Sequence, residues 1–272
     1  MFQNTIKKEV SISGIGLHTG KEVSIRFKPA EIGTGIVFVR IDKPGRPRVK
    51  ANLNNVSSTE RGTSLGKVYT VEHVLSALHA LSVTNCEIEL DGPEPPAIDG
   101  SSREYCNLMK RAGVISQNAD LKKINLRSPV IVRDKDGCVV ALPSDRLVVS
   151  FMINYPFDFI GSQFYRFDLN SKKYIKWIAP ARTYGFLSEV PTLRRRRLAG
   201  GASFKNTVVL GKDHYLTKLR FKDELVRHKI LDLIGDLSLL GAEINAHIIC
   251  IKSGHKLNIK LAKLLLRQAQ HK

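Results

Sequence analysis

A histidine and an aspartate stand four residues apart in VRHKILDLIGDL (226–237), as His228 and Asp232. In a helix that spacing puts both side chains on one face, about one turn apart. There an imidazole and a carboxylate can share a metal ion, or form a plain hydrogen-bonded pair on a half-buried surface. Upstream, TVEHVLSAL (70–78) carries Glu72 directly before His73, with Thr70 as the expected N-cap of a helix. The apolar stripe Val71, Val74, Leu75, Leu78 and Leu81 turns His73 away from the centre of the buried face. His73 is therefore either a hydrogen-bonded interface histidine or a third metal ligand. Two histidines and one aspartate with an open fourth position suit a catalytic Zn²⁺ site. Glu72 would then be the general base on the metal's water, as a glutamate beside a ligand histidine is in other zinc hydrolases.

A further histidine, His255, follows a strand-like run in KSGHKLN (252–258), at a Ser-Gly turn. It reads either as a surface residue capping the next helix or as a proton donor to a departing amine that also holds an oxyanion. Asp236, two turns beyond His228 on the same helical face, could orient and charge it. GIGLHTG (14–20) is glycine-rich but lacks the GKS or GKT ending of a phosphate loop, so His18 is expected only to support a turn. DGPEPPAIDGS (91–101) has no calcium-loop spacing and reads as a rigid connector. The run Arg194–Arg197 reads as a solvated face or basic loop, with acidic lipid or phosphate as its alternative partner.

The elements that must carry these groups repeat in order. KKEVSISGIGLHTGKEVSIRFKPA (7–30) alternates apolar and polar residues about a glycine-rich turn and reads as two paired strands. The segment 122–145 does the same around Asp136-Gly137. Each half then runs helix, strand, helix: 70–81, 86–90 and 101–112 in the first, 221–240, 246–251 and 257–269 in the second. The shared order suggests an old duplication. The fold class expected is α+β, in two similar domains, 1–118 and 119–272, with the polar stretch SQNAD (116–120) as linker.

The 272 residues suit one large or two small domains. No apolar run approaches the roughly 18 residues of a spanning helix, and MFQNTIKKEVSIS lacks the apolar core of a signal peptide, so the expected location is cytoplasmic. Four cysteines without CxxC spacing read as free thiols. The outlying quantity is the net charge of +18. Residues 1–120 carry 15 basic and 13 acidic side chains, and 121–272 carry 28 and 12. The excess in the second half calls for a polyanionic partner: nucleic acid, acidic headgroups or a phosphorylated substrate. A non-catalytic nucleic-acid-binding protein is the competing reading. It would interleave aromatics with the basic patch, and no RNP-like run, KH-type GxxG or zinc-finger spacing is present.

GIGLHTG, TVEHVLSAL, DGPEPPAIDGS, ARTYGF (181–186), VRHKILDLIGDL and KSGHKLN occur together in this order, and from about Thr5 onward the chain resembles the bacterial UDP-3-O-acyl-N-acetylglucosamine deacetylases. The resemblance implies two α+β domains, each a sheet with a pair of helices, packed face to face with the active site at their interface. It implies Zn²⁺ on His73, His228 and Asp232, Glu72 as general base, and His255 paired with Asp236 as proton donor. It adds Thr183 as the hydrogen-bond donor to the oxyanion and Lys229 as a substrate contact. Tyr155 and Tyr184 fall where the family usually has substrate-contacting phenylalanines. The acyl passage is expected near Arg194–Gly200. The implied substrate is UDP-3-O-acyl-N-acetylglucosamine, cleaved in the committed step of lipid A synthesis in Gram-negative bacteria. No nucleic acid is expected as partner, the state expected is monomeric, and peripheral contact with the inner membrane is an open option. Two departures stand out: Lys205 where an acidic residue is common, and Lys256 where a small one is usual.

Overall fold

A computed structural model describes residues 2–270. Two sheets organise them. The first has the spatial order Val10–Ile15, Glu22–Pro29, Cys86–Leu90, Ile36–Arg40, Arg48–Lys50. The second runs Val130–Arg133, Cys138–Pro143, Glu243–Ile251, Val148–Asn154, Ser162–Asp168, with Lys123–Asn125 added alongside Glu243–Ile251. In each, one antiparallel hairpin flanks a central strand on one side and a second hairpin flanks it on the other. The central strand is antiparallel to the first hairpin and parallel to the second. Identical order and direction in two sheets of one chain is the pattern a duplication leaves. The structure is mixed α and β, in keeping with the α+β class expected.

Among the described residues there are six α-helices: α1 Glu72–Ala80, α2 Arg103–Ala112, α3 Ser171–Trp177, α4 Val190–Arg195, α5 Glu224–Ser238 and α6 His255–Gln270. The central strands alternate inward and outward residues: Glu243–Ile251 buries Ile244, Ala246, Ile248 and Cys250, leaving the residues between them partly exposed. α1 and α5 are different. Every residue of α1 but His79 is buried, as are most of α5. A helix buried nearly all round belongs inside a molecule, and these two pack on each other. Their approach needs Gly235, because a Cβ there would lie 2.2 Å from the Glu72 carbonyl oxygen.

Two local expectations are corrected. The stretch 116–120 is no linker. It belongs to the strand Val114–Asp120, paired antiparallel with Phe2–Ile6. The alternation that marks a strand is weak in so polar a segment, and its pairing partner lies at the far end of the first half. Thr70 is not the N-cap of α1. Its φ is +53°, a left-handed conformation costly for a β-branched residue, and its hydroxyl turns to Glu94 Oε2 at 3.4 Å. Val71 takes the N-cap position, without a side-chain bond. The basic run falls on α4 and the turn after it, where Arg194–Arg197 are exposed. α4 is bracketed by the parallel strands Tyr184–Phe186 and Val208–Leu210. All four cysteines are free, and among the described residues no helix is long and apolar enough to cross a membrane.

Candidate active site

The first turn of α1 and the middle of α5 face each other, and this brings Glu72 and His73 to His228 and Asp232. The ligand-capable atoms of His73, His228 and Asp232 all lie within 4.8 Å of one another. Asp232 Oδ1 is 3.3 Å from His228 Nε2 and 3.7 Å from His73 Nε2, while the two rings meet edge to face at 4.9 Å. His228 Nδ1 lies 3.1 Å from the Ala181 carbonyl. A proton on Nδ1 donates there and leaves the Nε2 lone pair turned to Asp232. Asp232 Oδ1 is buried with no hydrogen-bond partner among the described residues. A carboxylate oxygen left bare between two imidazole nitrogens costs free energy unless a cation fills the gap. Two histidines and an aspartate so arranged fit a divalent first-row metal.

Burial works against charge on Glu72, His228, Lys229, Asp232 and His255. It pushes His228 down to about 3 and raises the Glu72 carboxyl, the latter against the pull of His255 and His73. Asp232 resists its burial because His228 and Lys229 sit beside it, and it is held well below the ordinary carboxylate range. Lys229 Nζ is 2.7 Å from Asp232 Oδ2. His255 also runs against its burial: Asp236 Oδ2, 2.9 Å from its Nδ1, keeps the ring cationic up to about 9.

His255 arrives from the start of α6, on the turn after the central strand Glu243–Ile251. Its Nε2 lies 3.9 Å from Asp232 Oδ2, and a second group of potential ligands joins Glu72, Asp232 and His255. Thr183 is set by main-chain bonds, its N–H donating to Gly100 O at 2.8 Å and its carbonyl accepting from Val208 at 2.8 Å. The loop that carries it is anchored on α5, because Glu224 accepts from the Arg182 backbone N–H at 3.0 Å and its guanidinium at 2.8 Å. Tyr155 and Tyr184 share a hydroxyl contact of 3.0 Å, and Lys229 Nζ stands 5.7 Å from the Tyr184 ring centre.

One cavity of about 690 Å³ is bordered by Glu72, His73, Thr183, His228, Asp232 and His255, and also by Lys229, Tyr155 and Tyr184. Asp236 lies behind His255, completely buried. Every residue expected at the site is thus brought together. Lys256 borders the same cavity and pairs with Asp134 at 2.8 Å, while Lys205 is exposed. His18 supports a turn, as expected, and more. Its Nδ1 accepts from Ala199 N–H at 3.3 Å, and the GIGLHTG loop meets Gly200 and Gly201 through main-chain bonds. Sequence reasoning missed Thr63, Asn258 and Glu94. Glu94 fixes that loop by accepting from the backbone of His18 and Thr19. Asn258 carried a usable signal, three residues after His255 at the start of a helix.

An α+β framework with a buried His₂Asp cluster, a buried glutamate beside it and a cationic histidine opposite defines a metal-type hydrolase site. A family model for UDP-3-O-acyl N-acetylglycosamine deacetylase (LpxC) matches residues 3–267. The chain belongs to that family. It is 40% identical to the UDP-3-O-acyl-N-acetylglucosamine deacetylase of Syntrophus aciditrophicus, over 99% of this chain and 88% of the relative. It is 41% identical to that of Helicobacter hepaticus, over 98% and 90%, and 38% identical to that of Nostoc, over 98% and 99%.

Proposed function

We propose that this chain is a zinc-dependent N-deacetylase that hydrolyses the acetamide of UDP-3-O-(3-hydroxyacyl)-N-acetylglucosamine, releasing acetate and a free amine. The reaction would be the committed step of lipid A synthesis in a Gram-negative cytoplasm. The observation that carries the reading is the bare Asp232 Oδ1 between two imidazole nitrogens, with Glu72 and His255 bordering the same cavity, in a chain of this family.

His73, His228 and Asp232 would hold the zinc, which supplies Lewis acidity toward a water molecule and the acetamide carbonyl. Glu72 accepts the proton of the attacking water. Its burial raises its basicity above that of an ordinary carboxylate, which suits that work. His255, kept cationic by Asp236, donates to the departing nitrogen. The Thr183 hydroxyl donates to the oxyanion, a contact worth about 2.7–4 kcal/mol in other oxyanion holes. Lys229, Tyr155 and Tyr184 contact the substrate. The basic second half suits its diphosphate, and the acyl chain runs near Arg194–Gly200. The chain acts as a monomer of two domains, the expected 118/119 boundary moved past Asp120 because Val114–Asp120 pairs with Phe2–Ile6, with peripheral membrane contact through Arg194–Arg197.

The deciding experiment is acetate release from UDP-3-O-acyl-N-acetylglucosamine by the purified chain, with and without a chelator. Activity lost to the chelator and restored by Zn²⁺ supports the reading. No acetate release from the zinc-loaded protein rejects it.

A further inference from the structure

Thr63 reaches two buried carboxylates at once. Its backbone N–H donates to Glu72 Oε2 at 2.9 Å, and its hydroxyl donates to Asp236 Oδ1 at 2.5 Å. The same hydroxyl oxygen is 3.3 Å from His255 Nδ1. Thr63 and Asp236 are both 0% exposed, so water does not compete for these bonds. Neither residue borders the cavity.

The main chain of Thr63 has little freedom. Its carbonyl accepts from Val71 N–H at 3.0 Å, its N–H is committed to Glu72, and the strand Ser64–Leu65 follows directly. Its hydroxyl has one proton, and Asp236 takes it. The Asp236 carboxylate is then fully dressed. Oδ1 receives Thr63, and Oδ2 receives His255 Nδ1–H at 2.9 Å and Asn258 Nδ2–H at 2.8 Å. Asn258 is itself held through its Oδ1 by Ser253 Oγ at 2.8 Å. An aspartate carboxylate turns easily about χ2, whose wells are broad. Only bonds to both oxygens fix its plane, and that plane sets the tilt of the imidazole it holds.

We propose that Thr63 is a positioning residue, whose hydroxyl locks the Asp236 carboxylate and through it the His255 ring at a set distance from Glu72. The residue comes from the loop before α1, whereas Asp236 and His255 belong to α5 and α6. One side chain thereby registers a group on the first half against groups on the second. The inference rests on the deacetylase reading for the roles of Glu72 and His255, and misplacing a reacting group by about 1 Å costs roughly 100-fold in rate.

Two variants separate this role from packing. Thr63→Val keeps the shape, the branch at Cβ and the N–H bond to Glu72, and removes only the hydroxyl. Thr63→Ser keeps the hydroxyl. In the zinc-loaded enzyme, Thr63→Val is expected to lower kcat by about 10- to 100-fold with KM and metal content unchanged. Thr63→Ser should stay within about threefold of the parent. Asp236→Asn should cost less in the Thr63→Val background than alone, because the two act through one linkage. A second readout needs no turnover: the His255 Nδ1 proton and nitrogen resonances should move in Thr63→Val and hold in Thr63→Ser. Parental kcat in Thr63→Val, or resonances that stay in place there, overturns the proposal. So does a Thr63→Ser variant as impaired as Thr63→Val, which assigns the residue to packing. If the parent enzyme releases no acetate while the resonances still respond to Val and not Ser, the deacetylase reading fails and the Thr63–Asp236–His255 linkage stands.

Discussion

Lys229 Nζ lies 2.7 Å from Asp232 Oδ2, on the same turn of α5, and so leaves Asp232 Oδ1 turned toward the imidazoles of His73 and His228. The two oxygens of one carboxylate are divided between a fixed cation and a metal position. Lys229→Met removes the fixed cation and keeps an unbranched side chain one atom shorter. Metal affinity is expected to fall about 10- to 100-fold, the usual cost of losing a partner that orients a ligand. Competition with a fluorescent chelator measures it. An unchanged affinity with a raised KM would assign Lys229 to substrate alone.

The ligand set predicts its own stoichiometry. Gently purified protein should carry about one zinc per chain by elemental analysis, and His73→Ala should lose it, because removing one of three protein ligands leaves only His228 and Asp232. A metal-free preparation with full activity would remove the assignment.

Glu72→Gln is close in shape and cannot accept the proton. Glu72 is 2% exposed, and the Thr63 N–H that donates to its Oε2 can donate equally to an amide oxygen at that place, so the fold should hold. Zinc content should stay at the parental level while kcat drops by roughly 10²–10⁴, the span of general-base catalysis. Turnover within a few-fold of the parent would take the base role from Glu72.

Part of this site is legible from spacing. His228, Asp232 and Asp236 share one face of a helix by arithmetic, and Glu72 stands directly before His73, whereas Thr183, Lys229, Tyr155 and Tyr184 are drawn in only by the family resemblance. The partners that orient these groups are not legible. Thr63 and Asp236 meet across 173 residues, and no local pattern marks a threonine that will meet an aspartate so far along the chain. The strand Val114–Asp120 is hidden for a related reason, since its part from Ser116 onward is mostly polar and only pairing with Phe2–Ile6 makes it a strand. Thr70 has the composition of a cap, but Glu94 draws its hydroxyl and its backbone is left-handed.

The pH dependence follows from two groups needed in opposite states. Glu72 must be ionised to accept a proton, and burial raises its pKa, so activity is lost as pH falls through that raised value. His255 must be protonated to donate, and Asp236 outweighs its burial to hold it cationic up to about 9, so activity is lost as pH rises through that value. The profile of kcat/KM should be bell-shaped. Asp236→Asn removes the carboxylate charge that raises His255, so the alkaline limb should move to lower pH while the acid limb stays near its place. An alkaline limb unmoved in this variant would mean that another group sets it.

Gly235 tests whether the register of α1 on α5 matters to the metal. In an exposed helix, Gly→Ala gains about 1 kcal/mol from helix propensity. At Gly235 the new Cβ would lie 2.2 Å from the Glu72 carbonyl oxygen, and that oxygen is backbone, so no side-chain rotation relieves the clash. The two helices must move apart or slide, at a typical overpacking cost of about 1–3 kcal/mol. Because Glu72 and His73 ride on one helix and His228 and Asp232 on the other, the same movement opens the ligand triangle. Gly235→Ala is therefore expected to lower Tm by several degrees, at about 2–4 °C per kcal/mol for a chain of this order, and to weaken zinc binding together with it. Gly241→Ala is the contrast. Its added Cβ meets open space, but its φ of +60° strains any side chain, so Tm should fall while metal affinity holds. If Gly235→Ala lowered Tm alone, the α1–α5 spacing would be a matter of stability only, and the ligands would tolerate a shift between the helices that carry them.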